Sequence, residues 1–221
     1  PRRALKRPFK IPKERRIKMG IYQELGVDAI KADVSTVWEK VVDNDYPDAF
    51  VKIVKDPEHP GEVLTKHGDG SGSKSVQRVL DYLVKGDPTV YQDDPQDAFS
   101  MNTGDIAASG FVNGLYTVTD IIGINALNIA KEVVIEQLAI GFAKLFNLYD
   151  WFQFKIKYLG GETADLPDQV NSYVLDVDVH ARAKETEVIR GNIEPGDQIF
   201  GVCNSYWRKI NVIYLIIPLL L

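Results

Sequence analysis

Two stretches of the chain alternate apolar and polar residues one by one, and each such stretch has to become a half-buried strand. In the first, Phe152, Phe154, Ile156 and Tyr158 alternate with Gln153, Lys155 and Lys157. In the second, Tyr173–Ala181, Leu175, Val177 and Val179 alternate with Asp176, Asp178 and His180. Successive strand side chains point to opposite faces, so each stretch presents one apolar and one polar face. Between the strand-like segments lie runs with apolar residues at three- and four-residue steps. Residues 28–43 place Ile30, Val34, Val37, Trp38, Val41 and Val42 in this way, 75–84 repeats the spacing, and 129–146 is a longer amphipathic run with Lys131, Glu132, Glu136, Gln137 and Lys144 off its apolar side. Val51–Val54, Glu62–Lys66 and Leu115–Ile122 read as further strands. Asp94-Pro95 reads as a helix start, with an aspartate cap and proline at the first helical position. The expectation is an α+β fold in which long helices pack against a mixed or mainly antiparallel sheet.

With 221 residues, 45% of them hydrophobic and 26% charged, the chain has enough apolar material for one substantial core. A single cysteine, Cys203, rules out an internal disulfide framework. No charged start followed by an apolar run and a cleavage site is present, and the cytoplasm is the expected compartment. The most apolar run, 210–221, is shorter than the roughly 20 residues of a membrane span and contains Asn211 and Pro218, so no membrane association is expected.

Charge divides the chain. Residues 1–18 hold nine Lys or Arg against Glu14 alone, leaving 17 basic and 30 acidic residues in the remainder. The 1–18 segment is read as a basic tail outside the natural protein rather than as a nucleic-acid tether. The remaining boundaries are a nucleotide-binding domain at 19–183, a linker and the start of a truncated second domain at 184–205, and an apolar, frameshift-like tail at 206–221.

Two glycine-flexed segments carry the chemistry. Asp69-Gly70-Ser71-Gly72-Ser73-Lys74 and Gly160-Gly161-Glu162-Thr163-Ala164-Asp165-Leu166-Pro167 each read as a turn bearing a carboxylate. Nucleotide phosphates with magnesium need acidic oxygens for the metal, N–H groups and a lysine for the phosphate, and glycine where backbone must approach closely. Asp97 and Asp105 lie on one putative helix, ~80° apart around it and ~12 Å apart along it, too far to chelate one ion together. His67 is read as a polar packing residue in preference to a proton carrier. His59 and His180 form no Cys/His cluster with Cys203.

These segments resemble a known family. Gly160–Pro167 is similar to the Gly-Gly-Glu-Thr-Ala-Glu-Met-Pro signature of aminoimidazole ribonucleotide synthetase, and Asp69–Lys74 to its Asp-Gly-Val-Gly-Thr-Lys. Asp97–Gly110 has the spacing of its Asp-x-x-x-Met-x-x-Asn-Asp-x-x-x-x-Gly helix, and Tyr22–Asp28 resembles its Tyr-x-x-Ala-Gly-Val-Asp start. Gly104 stands where that family has asparagine, Asp165 where it has glutamate, and Gly110-Phe111-Val112-Asn113 where it has Gly-Ala-Glu-Pro.

The resemblance implies a four-stranded sheet backed by helices, a homodimer formed through the sheet, and residues 196–202 as the first strand of a second domain. It implies ATP and Mg2+ as cofactors, a small-molecule nucleotide substrate, and ring closure of formylglycinamidine ribonucleotide, with little turnover from this chain alone. It places Asp69, Gly70, Gly72, Lys74, Asp97, Asn102, Asp105, Gly160, Gly161, Glu162 and Thr163 around the nucleotide, with Asp69, Asp105 and Glu162 on the metal and Lys74 on phosphate. Selenophosphate synthetase, the hydrogenase-maturation dehydratase and thiamine-phosphate kinase share parts of the pattern. A non-catalytic dimerisation domain is the alternative of a different class.

Overall fold

The computed structural model describes residues 37–202 and 213–216. The chain divides into a unit ending at Val42 and a unit from Asp43 onward. In the first, only the end of the expected 28–43 helix is described, where the N–H groups of Val41 and Val42 both donate to Trp38 O at 3.0 Å. Cys203 and the segments resembling the family start lie outside the described residues.

The second unit is built on a sheet ordered β1-β2-β5-β3-β4, from β1 (Val54–Lys55), β2 (Glu62–Gly70), β3 (Leu115–Ile124), β4 (Lys155–Asp165) and β5 (Tyr173–Lys184). All neighbours are antiparallel except β3 and β4. Parallel neighbours require a long crossover, which α3 (Lys131–Trp151) supplies. The sheet is therefore mixed, as the sequence suggests. It has one strand more than the four that the resemblance implies, the two-residue β1, read in the sequence as Val51–Val54, which pairs with the edge of β2. Ile199–Val202 (β6) forms the expected strand and pairs with Ile213–Ile216 (β7) in a separate two-stranded sheet.

Alternation decides which way the sheet faces. On β5, Tyr173, Leu175, Val177, Val179, Ala181 and Ala183 are buried, whereas Val174, Asp176, Asp178, His180 and Arg182 between them retain solvent contact. The buried face is covered by α2 (Asp94–Ala108) and α3, with α1 (Lys74–Lys85) beside them. Phe99 of α2 is fully buried and meets Tyr149 and Phe146 of α3 edge-on at 5.0 and 6.3 Å. Tyr158 of β4 stacks on Phe142 of α3 at 5.4 Å. Aromatic pairs of this kind add about 0.5–1.5 kcal/mol each beyond their area burial, so these contacts hold the crossover helix to α2 and to β4.

Two local expectations are corrected. Gly160, Gly161, Glu162 and Thr163 lie inside β4 rather than in a turn. Pairing with β3 satisfies their backbone, and the glycines accommodate a register shift opposite Val118 and Asp120, with Gly160 at φ +80°. Asp94 does not cap α2. Asp93 occupies the cap position without a side-chain bond, and Asp94 is the first helical residue with its carboxylate turned into the core. Asp87 does act as a cap, accepting from Thr89 N at 2.9 Å at the start of the 3-10 segment Pro88–Asp93.

Candidate functional site

The site forms where β2 ends and the chain turns into α1. Along β2 the residues Val63, Thr65, His67 and Asp69 share the helix-covered face, and Gly68 and Gly70 share the other. Gly70 pairs with Asp176 and Gly68 with Asp178 on β5. A Cβ at Gly70 would collide with Asp176 Oδ1, and one at Gly68 would stand 3.0 Å from Asp178 Oδ1. The two glycines thus make room for two carboxylates on the open face. Asp69 Oδ1 accepts from Gly70 N at 2.7 Å, Ser71 N donates to Leu175 O at 3.0 Å, and Gly72 takes φ +58° to bring the chain into α1.

Across from Asp69, α2 contributes Asn102 and Asp105. Asn102 Nδ2 donates to Asp69 O and to Ala98 O, each at 3.0 Å, which fixes its orientation. Its Oδ1 therefore accepts from His67 Nδ1 at 2.9 Å. That leaves His67 Nε2 facing Asp105 Oδ2 at 3.3 Å, with one proton to share. Burial pushes the Asp105 carboxyl above the usual range, His67 opposes this, and the Asp69 charge adds to it. Burial also raises Asp176, followed by the charges of Asp69 and Asp178. Asp69 stands with Asp105 on the helix-covered face, and on the open face, at Asp176 and Asp178, lies a cavity of about 390 Å3 lined by Gly68, Asp69, Gly70, Ile121, Asp176, Val177 and Asp178.

Other expected residues are placed elsewhere. Lys74 Nζ donates to Asp97 Oδ1 at 2.7 Å, and Arg78 donates to Asp97 Oδ2 at 2.9 Å, so the Asp97 carboxylate is neutralised at the outer side of α1 and α2. Glu162 pairs with Ile121, and Ile121 with Asp176, which pairs with Gly70. Glu162 therefore stands on the open face three strands from β2, roughly 14 Å away at about 4.8 Å per strand. Within one chain it does not share an ion with Asp69 and Asp105. Gly160, Gly161 and Thr163 go with it, Gly161 lying against Asp120, which accepts from Tyr158 Oη. Gly104 borders open space.

Asp176 and Asp178 are the site residues that sequence reading missed, while His67, read there as a packing residue, lies against Asp105 and Asn102. Asp176 and Asp178 were visible as the polar side of β5, but only the long-range register with β2 places them over glycines. A second acidic group, Asp56, His59 and Glu62, brings ligand atoms within 4.8 Å of one another. Arg182 Nε already approaches Asp56 Oδ2 at 2.9 Å and Glu62 Oε2 at 3.3 Å, so that group is closed by an internal cation.

No family model matches the chain. No curated protein matches it either. Solved structures do resemble it. Thiamine monophosphate kinase from Aquifex aeolicus is 18% identical, with 84% of this chain and 51% of that chain covered, at a TM-score of 0.46. A Thermus thermophilus protein is 15% identical over 79% of this chain and 50% of that one, at 0.49. T. maritima PurL complexed with ATP is 13% identical over 90% of this chain and 30% of that one, at 0.41. The chain spans about half the length of the first two and less than a third of the last. No helix among the described residues is long and apolar enough to cross a membrane.

Proposed function

We propose that the chain is the nucleotide-binding part of an ATP- and magnesium-dependent enzyme, with Asp69 and Asp105 as the metal ligands. What supports this is that α2 carries Asp105 and, through Asn102, holds the backbone of Asp69 at 3.0 Å, and that the Asp69 charge acts on the Asp105 carboxyl. The Asp69 charge raises the cost of ionising Asp105 and Asp176, and a divalent cation is the partner that would relieve it. Bound magnesium would supply positive charge to the phosphates. The chain's own part is to hold Asp105 through His67, to tie the Asp69 backbone to Asn102, and to keep Cβ atoms away from the opening at Gly68 and Gly70. Lys74 reaches phosphate only after leaving Asp97.

The reaction we assign is the ring closure of formylglycinamidine ribonucleotide to aminoimidazole ribonucleotide, on the strength of the four motif resemblances. In it, ATP turns the formyl oxygen into a phosphate leaving group and an internal nitrogen closes the ring. A homodimer through the open sheet face accompanies this reading, supported by the exposure of Ile121, Leu115 and Val174 there. That same exposure favours a second reading, a dimerisation domain without chemistry.

Thermal melts separate the two. With ATP and magnesium together the melting temperature is expected to rise, and Asp105→Ala is expected to abolish the rise. An unchanged melting temperature in the parent chain would leave the dimerisation reading. A substrate panel including thiamine monophosphate decides between the ligase and a kinase.

A further inference from the structure

Asp94 is fully buried beneath the Asp69–Gly72 turn and belongs to none of the contacts described above. Its Oδ2 lies 2.9 Å from Tyr173 Oη, 3.0 Å from Ser75 Oγ and 3.1 Å from Ser71 Oγ. Ser71 Oγ and Ser75 Oγ are themselves 2.7 Å apart. Asp94 Oδ1 is buried with no partner.

Protons are short in this cluster. Each of the four oxygen–oxygen contacts requires a proton, and the three hydroxyls carry only one apiece. An ionised Asp94 would leave one contact without a proton and a charged oxygen buried without a donor, which is the more costly state. A proton on Asp94 Oδ2 supplies what is missing. The ring then closes from Asp94 through one serine to the other and back, Tyr173 donates into it, and the orphaned Oδ1 is a neutral carbonyl oxygen. Among the described residues the one cation facing the group is Arg78 of α1, which is committed to Asp97 at 2.9 Å; from β5 and the 3-10 segment the neighbours are Tyr173 and Tyr91. Burial, the largest influence, raises the Asp94 carboxyl.

We propose that Asp94, as the neutral acid, is the positioning residue of the Asp69–Gly72 turn: it pins Ser71 through the hydroxyl ring and so sets Asp69 against Asp105. Four elements depend on it, since Ser71 follows β2, Ser75 lies in the first turn of α1, Asp94 opens α2 and Tyr173 opens β5. The inference rests on the reading of Asp69 and Asp105 as the cation pair.

Its test has two arms. The infrared spectrum of the full chain at neutral pH is expected to contain a protonated-carboxyl band that Asp94→Asn removes; superimposable spectra would overturn the neutral acid. Amide exchange is expected to speed up about ten-fold at Ser71 and Lys74 in Ser71→Ala, with global stability nearly kept. Binding of magnesium with a non-hydrolysable ATP analogue, read by calorimetry, is expected to weaken by about ten-fold in the same variant and in Asp94→Ala. Asp94→Asn, which keeps a neutral donor in the ring, is expected to keep the binding that Asp94→Ala loses. Unchanged exchange in Ser71→Ala overturns the positioning role. Should the parent chain bind no magnesium nucleotide, the functional reading fails alone, because infrared and exchange still decide the role of Asp94.

Discussion

Asp105 and His67 face each other across α2 and β2 with Oδ2 and Nε2 3.3 Å apart, and Asn102 dictates the character of that contact. Because Asn102 Oδ1 accepts from Nδ1–H, Nε2 is the nitrogen that meets the carboxylate. Asp105 is thus a carboxylate whose ionisation is opposed by burial and by Asp69 and assisted only by His67.

The pH dependence of cation binding follows from this. Magnesium binds the ionised carboxylate, so a proton competes with it below the raised folded pKa of Asp105. Affinity for magnesium with nucleotide is expected to climb as pH rises through that value and to level above it. His67→Ala removes the one influence that lowers the pKa and is expected to move the climb to higher pH. Asp105→Asn is expected to flatten the profile and weaken binding by about ten-fold or more, given about 1.4 kcal/mol per decade. Calorimetric titration at a series of pH values measures all three.

Lys74 and Asp97 provide a second test, because the structure pairs them with each other. Lys74 is half-exposed, and Arg78 holds Asp97 as well, so the single pair contributes only about 0–1 kcal/mol. Lys74→Met is therefore expected to leave thermal stability nearly unchanged. If Lys74 serves phosphate, the same variant weakens nucleotide binding, while Asp97→Asn, which frees the ammonium, does not. Equal losses of binding in both variants would instead mark the pair as structural.

Much of this arrangement was legible in the residue pattern. Alternation at Tyr173–Ala181 located β5 and its buried side, and the Asp94-Pro95 dipeptide located the start of α2 to within a residue. Two things were not legible. A one-residue offset turns an aspartate from cap to core, and only the burial of Asp94 against Ser71, Ser75 and Tyr173 reveals which it is. Gly160-Gly161 reads locally as a turn, and the partner strand that holds it extended lies some forty residues earlier in the chain. The placement of Asp105 beside β2 comes from the packing of α2 on the sheet, and the separation of Glu162 from sheet order, and no local spacing encodes either.

The two adjacent glycines of β4 should respond differently to a methyl group. Gly160 has φ +80° and open space around its missing Cβ, so Gly160→Ala is expected to cost about 1–2 kcal/mol from backbone strain alone. Gly161 is confronted by both the carbonyl and the carboxylate of Asp120, which is buried and fixed by Tyr158. Gly161→Ala has to push β3 and β4 apart, at about 1–3 kcal/mol or more for overpacking. Urea melts of the two variants are expected to rank Gly161→Ala as the less stable.

Asp94 also leaves a signature in stability against pH. Its folded pKa is raised by burial, whereas in the unfolded chain it ionises as an ordinary aspartate. Between those two values the folded state binds the extra proton, so the stability that Asp94 contributes is fully present below the unfolded pKa and is lost as pH rises through the folded one. Asp105 and Asp176 are raised too and act in the same direction. These three contributions overlap and each is lost from mildly acidic pH upward, while His180, whose pKa burial lowers, acts in the opposite direction. Asp94→Asn removes one of them while keeping the volume and a donor. Its denaturation free energy, measured against urea across the same pH series, is expected to fall less steeply than the parent's. An unaltered slope would mean that Asp94 is ionised in the folded chain and that Ser71, Ser75 and Tyr173 solvate an anion instead.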